Sequence, residues 1–407
     1  MPGSACVAGP EDQCRRAQHP GSRALLSALP RHPGTRESRG SFRPVAAVHQ
    51  CRRRPRVSEP FIPHSRPTLG EAEAKAVAEV VRSGWIAQGT QVAAFERAMA
   101  TVTGQAQGVA VSSGTAALYL ALMALGTGSG DEVVIPSYVC TALWHAVRLI
   151  EATPVLVDIE PATYQLSPQA VARALTRRTK AVIVPHMFGL PADIDTFKSH
   201  GIPVIEDCAQ TLDVTVRGTP VGGVGKLTIC SFYATKLLTA GEGGMVLGHD
   251  ESLMSRVRAL RQYDEPDAPE RAFNYKMTDM QAALGLCQVA RLESFLARRR
   301  AIAARYHEAV RQADLTPPGG PAGLEHGYFR YVLRLSGPVG PALDRAHKLE
   351  IGCQRPVRLP IHRYLGLSGF PETDAAWERA LSIPLYPALT DHEVERVVSA
   401  LPAILAG

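Results

Sequence analysis

From residue 109 onward the chain alternates short apolar runs with stretches of helical periodicity, and this alternation limits its fold more than any other feature. GVAVSS precedes GTAALYLALMAL, DEVVIPS precedes VCTALWHAVRLI, and PVLVDI precedes SPQAVARALT; KAVIVPHM and IPVIED continue the series. Such a pattern predicts crossover units on a parallel sheet buried on both faces. LTICSFYA (227–234) and GGMVLG (243–248) bring the expected sheet to about seven strands. After residue 280 the spacing of Leu, Val and Ala predicts one long helix over 281–312, and the Pro/Gly cluster TPPGGPAGLEHG at 316–327 reads as a linker. FRYVLRL and DHEVERVVSAL then suggest a smaller α+β unit. The expected fold is therefore α/β, a large domain over 58–315 with a mostly parallel sheet between helices, followed by a small C-terminal domain over 316–407.

Charge is unevenly spread along the 407 residues. Residues 1–57 hold eleven Arg against three acids, a net of +8, leaving 33 bases and 35 acids, a net of −2, for the other 350. Basicity thus belongs to the N-terminal segment, and the body has no surplus of positive charge for nucleic acid. That segment is rich in Pro, Gly, Ser and Arg without periodicity, so it reads as a disordered extension or as a start assigned too far upstream. Its Arg-rich, acid-poor composition also suits a transit leader, but it lacks an amphipathic stripe. Eight Cys without CxxC spacing or a neighbouring His pair argue against a disulfide framework or a metal site. No apolar run approaches the roughly 18 residues of a membrane helix. A cytoplasmic protein is expected.

Ligands of open α/β sheets bind beyond the carboxyl ends of the strands, so the residues there are the candidates for chemistry. Val111-Ser112-Ser113-Gly114-Thr115 turns a strand into a helix, and its free amides and hydroxyls suit an anion; a simply capped helix reads equally from the same residues. Asp207 ends an apolar strand, where a carboxylate asks for a cationic partner, and Gln210 follows three residues on; a capping Asp is the alternative. Lys236 leaves a strand into a Gly-rich turn, five residues after Ser231. Burial there would lower the pKa of its amine, although most lysines are merely solvated. Asn274, in Phe273-Asn274-Tyr275-Lys276-Met277-Thr278-Asp279, precedes the long helix and can also be read as its cap.

Together these segments resemble the pyridoxal-phosphate sugar aminotransferases of the DegT/DnrJ/StrS family, within the aspartate-aminotransferase fold type. The resemblance spans about residues 60–400 and includes SGWIAQGTQVAAFE, SSGTAAL, GSGDEVVIPS, ATPVLVDI, IEDCAQ, TAGEGGMV, NYKMTDMQAALG and LSIPLYPALT. It implies that Lys236 is the Schiff-base lysine, that Asp207 partners the pyridine nitrogen, and that Gln210 lies by the ring oxygen. Ser231, Gly114 and Thr115 would bind the phosphate, and Asn274 would reach the phosphate of the neighbouring subunit's cofactor in a homodimer. Pyridoxal 5'-phosphate is the implied cofactor, L-glutamate or L-glutamine the implied donor, and a keto sugar, often nucleotide-linked, the implied acceptor.

One position departs from the family. Where relatives carry an aromatic residue stacked on the cofactor ring, this chain has Cys140, with Tyr138 two residues earlier; either the thiol replaces the stack or Tyr138 supplies it. Arg355, Arg358 and His362 in QRPVRLPIHRYLG offer contacts to a phosphate or sugar hydroxyl, and also read as a solvated basic loop. His186 ends a strand near the expected site and suits substrate contact or a core position. Alternatives on the same scaffold are a keto-cyclitol aminotransferase and a sugar dehydratase; in the latter the lysine is typically His, so Lys236 argues against it. A DNA-binding regulator using the basic segment is a third alternative, without a recognition motif to support it.

Overall fold

The computed structural model describes residues 60–264, 271–313, 315–320 and 324–406. The segment 1–57 read as an extension lies outside the described residues. Eleven strands occur in chain order: β1 (Gln107–Val111), β2 (Glu132–Pro136), β3 (Thr153–Val157), β4 (Thr179–Pro185), β5 (Val204–Asp207), β6 (Thr215–Val216), β7 (Thr219–Pro220), β8 (Leu227–Ser231), β9 (Gly244–Gly248), β10 (Tyr331–Arg334) and β11 (Ala380–Ile383). Seven form the central sheet in the order β1-β9-β8-β5-β4-β2-β3. Pairing is parallel from β8 through β3, and antiparallel where β9 joins β8 and β1. The seven expected sheet strands are all present, so the α/β reading holds.

Apolar residues cover both faces of this sheet. The helix Gly114–Ala124 is apolar nearly all round because it is buried nearly all round, filling the core between the sheet and the helices Ala142–Leu149 and Glu251–Arg261. The opposite side is packed by Phe95, Met99, Leu212 and Phe232 and by Val171, Ile194 and Phe197. A further core gathers Tyr306, Tyr331, Leu381 and Leu401, and draws in Ile62, whose strand-like bridge to Ile351 ties the start of the described chain to its C-terminal third. Among the described residues no helix is long and apolar enough to cross a membrane.

The single helix expected over 281–312 is two, Asp279–Ala290 and Leu292–Gln312, broken at Arg291. Arg291 sits at φ −106°, ψ 0°, and its Nη1 donates to Glu73 Oε1 at 2.8 Å. Apolar periodicity continues through the break, so composition alone conceals it; the partner that holds Arg291 lies 218 residues away.

Candidate active site

Beyond the carboxyl ends of β1, β2, β5 and β8 lie Gly114, Thr115, Cys140, Asp207, Gln210, Ser231 and Lys236, part of the set that the sequence singled out. Two glycines let the backbones close up there. A Cβ on Gly114 would lie 2.8 Å from Ser231 Cβ, and one on Gly244 would lie 2.3 Å from the Ser113 carbonyl oxygen. The first turn of the helix Gly114–Ala124 therefore lies directly against the end of β8. Ser113 is the cap of that helix, its Oγ accepting from Ala116 at 3.1 Å. The amides of Gly114 and Thr115 and the hydroxyls of Thr115 and Ser231 have no partner within the described chain. Two amides at a helix N-terminus beside two hydroxyls make an anion cradle.

Asp207, the last residue of β5, is 6% exposed. One oxygen accepts from the Ala209 amide at 2.9 Å, and no helix follows for it to cap. Burial raises its pKa, opposed by that amide and by the charge of Lys236. A carboxylate enclosed with one hydrogen bond is costly, and a protonated ring nitrogen would relieve the cost. Gln210 turns its oxygen to the Phe188 amide at 3.1 Å, which leaves its NH2 with only the Met187 sulfur at 3.9 Å.

Lys236 enters from the turn after β8, its ammonium 5.6 Å from the centre of the Phe329 ring and without a hydrogen bond. Burial lowers its pKa, while Cys140 and Asp207 push the other way. Cys140, open to the cleft, feels Lys236 and Asp207 in return, and enclosure raises its thiol pKa. Tyr138 is fully buried, packed against Tyr164 at 5.9 Å and Phe188 at 6.4 Å between ring centres. Of these two, the thiol therefore faces the cleft. Tyr164 and Phe188 both have left-handed backbones, at φ 61° and 60°, so strain gathers at this wall.

Asn274 lies at the rim, exposed and without a side-chain partner; the Tyr275 carbonyl next to it accepts from Ser112 at 2.8 Å. The helix that follows is capped by Thr278, so Asn274 does not serve as its cap.

Both histidines are 1% exposed and bound at both ring nitrogens. His186 Nδ1 accepts from Ala192 at 2.9 Å, which assigns the ring proton to Nε2, 3.0 Å from Glu206. Glu206 also accepts from the amides of Gly222, Val224 and Gly225, so the nearby trio of His186, Glu206 and Cys208 has its imidazole and carboxylate already engaged. His362 lies behind the Cys140 segment, with Nδ1 at 2.7 Å from Ser137 Oγ and Nε2 at 3.0 Å from Asp374. Neither imidazole is presented to the cleft. Arg355 lies on Trp377, 4.5 Å from its ring centre, and Arg358 accepts from the indole through its carbonyl.

Arg330, which none of the motifs includes, places its guanidinium 5.3 Å from the centre of the same Phe329 ring as Lys236. The available signal was an Arg between two aromatic residues at the head of an apolar strand.

The fit to pyridoxal phosphate is therefore good: an unmatched anion cradle, an under-bonded carboxylate, and an amine without a hydrogen bond line one cleft. Residues 67–402 match the model of the DegT/DnrJ/EryC1/StrS aminotransferase family. Among solved structures, the aminotransferase TlmJ from Streptoalloteichus hindustanus is 34% identical, with a TM-score of 0.80 over 85% of this chain and 99% of that one. DesV from S. venezuelae is 29% identical, with a TM-score of 0.80 over 86% of this chain and 100% of that one. The PLP-form of Spr1654 from Streptococcus pneumoniae, described as a sugar aminotransferase, is 27% identical, with a TM-score of 0.79 over 84% and 98%.

Proposed function

This chain belongs to the DegT/DnrJ/EryC1/StrS aminotransferase family and is a pyridoxal-phosphate-dependent transaminase, and from that premise we propose that it aminates a keto sugar in amino-sugar biosynthesis. In this reading the donor is L-glutamate or L-glutamine and the acceptor is nucleotide-linked. The description of Spr1654 as a sugar aminotransferase supports the acceptor class.

The observation that carries the reading is that the Lys236 amine without a hydrogen bond, the singly bonded Asp207 carboxylate and the unmatched first turn of the helix Gly114–Ala124 against Ser231 all lie just beyond the strand ends of one sheet. When bound, pyridoxal phosphate supplies the electron sink that makes the donor's Cα–H bond acidic. Lys236 would hold the cofactor at its carbonyl carbon, and its amine would take the proton from the donor's Cα. An amine with its pKa lowered by burial is better suited to that transfer at neutral pH. Asp207 would keep the ring nitrogen protonated, and Gln210 would offer its NH2 to the ring oxygen. The amides of Gly114 and Thr115, with the Thr115 and Ser231 hydroxyls, hold the phosphate. Cys140 borders the ring face.

Asn274 completes the partner's phosphate site in a homodimer.

The test is direct. Purified protein given pyridoxal phosphate should show a visible absorbance band, and Lys236→Ala should lack it. Borohydride reduction and peptide mapping should place the label on Lys236. L-glutamate alone should then bleach the band, and a panel of keto sugars with and without a nucleoside diphosphate identifies the acceptor. A wild type that stays colourless with added cofactor sinks the reading.

A further inference from the structure

Ser137, Tyr138, Val139 and Cys140 carry the chain from the end of β2 to the cleft. Every polar atom of Ser137 is engaged. Its amide donates to the Val157 carbonyl and its carbonyl accepts from Ile361, both at 2.9 Å. Its Oγ lies 2.7 Å from His362 Nδ1 and accepts from the His362 amide at 3.2 Å. Asp374 Oδ1 is 3.0 Å from Nε2, on the far side of the same ring. A carboxylate only accepts, so Nε2 carries the ring proton and Nδ1 accepts from the Ser137 hydroxyl. Phe370 lies against the imidazole, with ring centres 4.7 Å apart and planes 24° from parallel.

A serine, a histidine and an aspartate in line suggest a nucleophile, but burial excludes one. Ser137 is 0% exposed and His362 1%, so neither reaches a substrate. The line acts instead on the residues that follow Ser137. Tyr138 turns inward, where its ring packs on Phe188, and the Phe188 amide donates to Gln210 Oε1. Cys140 turns to the cleft, close enough to Lys236 and Asp207 for both to act on its thiol. One anchor thus stands behind two groups that border the cofactor site, and the histidine that makes it lies 225 residues further along the chain. An apolar pair would fill the same space, whereas a directional buried bond also fixes where the loop sits. Groups at a site have to be held to within about 0.5 Å.

We propose that His362, oriented by Asp374, is a positioning residue that sets the place of Cys140 at the cofactor's ring face through its bond to the Ser137 hydroxyl. The inference rests on the aminotransferase reading above for what the loop 137–140 faces. The anchor itself is tested without cofactor.

Cofactor-free protein is labelled with iodoacetamide, and the rate at Cys140 is read by peptide mapping against Cys287 in the same sample. His362→Gln, which loses the acceptor at the Nδ1 position, and Ser137→Ala should each speed labelling of Cys140 at least about fivefold. Their double variant should exceed the stronger single by less than about twofold, because both remove one bond. His362→Asn, which keeps an oxygen near the Nδ1 position, should lie closer to wild type than His362→Gln. With pyridoxal phosphate bound, His362→Gln should lower the visible circular dichroism per bound cofactor at least about threefold. It should also lower kcat about tenfold, with the donor KM within about twofold. A merely structural histidine would lower the unfolding midpoint and leave labelling, dichroism and kcat within about twofold of wild type, and that result overturns the proposal. Effects that multiply in the double variant overturn it too. Where His362→Gln does not fold, Ser137→Ala decides by the same readings. A wild type that takes up no cofactor sinks the aminotransferase reading instead, and the labelling rates still decide the anchor.

Discussion

On one face of β5 the Glu206 carboxylate accepts from His186 and from the amides of Gly222, Val224 and Gly225. One residue on, at the strand's end, the Asp207 carboxylate accepts only from Ala209. Strand alternation sends the two to opposite faces, and both are almost fully buried, at 1% and 6% exposure. Burial acts to raise both pKa values. For Glu206 the His186 hydrogen bond and the backbone amides overcome it and the net shift is downward; for Asp207 they do not, and the net shift is upward. A closed network is what a structural group looks like, and an incompletely bonded one marks a place waiting for a ligand.

The largest effect should come from breaking the open side. Asp207→Asn removes the charge proposed to hold the ring nitrogen protonated, so turnover should fall by about 10²- to 10³-fold, read from steady-state kinetics at saturating cofactor. The cofactor-free protein should meanwhile unfold at an unchanged or higher denaturant midpoint, because a costly buried charge has gone. A large loss of apo stability would erase the contrast.

Breaking the closed side should do the reverse. Glu206→Gln places an NH2 among groups that all donate, and should destabilise the protein by about 3 kcal/mol in urea unfolding. Folded enzyme that remains should keep most of its turnover number. A variant as stable as wild type would show that the His186–Glu206 network is dispensable.

A smaller effect tests the anion cradle. Gly114→Ala puts a methyl group 2.8 Å from Ser231 Cβ, which should cost about 1 to 3 kcal/mol of stability and weaken cofactor binding at least about tenfold. Equilibrium dialysis with pyridoxal phosphate reads the second part. Unchanged affinity would remove the close approach of the helix and β8 from the site.

The smallest effect is the pH dependence of apo stability. The folded Glu206 carboxyl binds its proton less tightly than the unfolded one, with its usual value of 4.5. Its contribution is therefore complete above that pH and is lost as pH falls through the lower folded value. Asp207 has the opposite sign. Its folded pKa lies above the usual 3.8, so its charge penalises the folded state at neutral pH, and the penalty lifts as pH falls through the raised value. Unfolding curves across the acid range should lose the first slope in Glu206→Gln and the second in Asp207→Asn.

Much of this molecule was legible in the chain itself. All seven sheet strands follow from short apolar runs, because a strand buried on both faces has to be apolar along its length. The placement of Lys236, Asp207, Ser231 and the Gly114 turn beyond strand ends was legible, because that position is marked locally by where an apolar run stops. The break at Arg291, the enclosure of His362 and the choice of Cys140 over Tyr138 were not legible. Each is decided by a partner distant in sequence: Glu73 for Arg291, Ser137 for His362, and Tyr164 with Phe188 for Tyr138.

Periodicity and strand-end chemistry, which act over a few residues, are what the sequence by itself determined: the sheet, the lysine and the carboxylate. The tertiary structure alone decided which polar groups are matched. Glu206 and Asp207 are chemically alike neighbours, and only packing of segments distant in sequence, as in the His64–Ser382 contact across 318 residues, shows which groups have partners. Hydrogen bonds are directional and short, so whether a buried group is matched depends on atoms brought within about 3 Å by the whole fold.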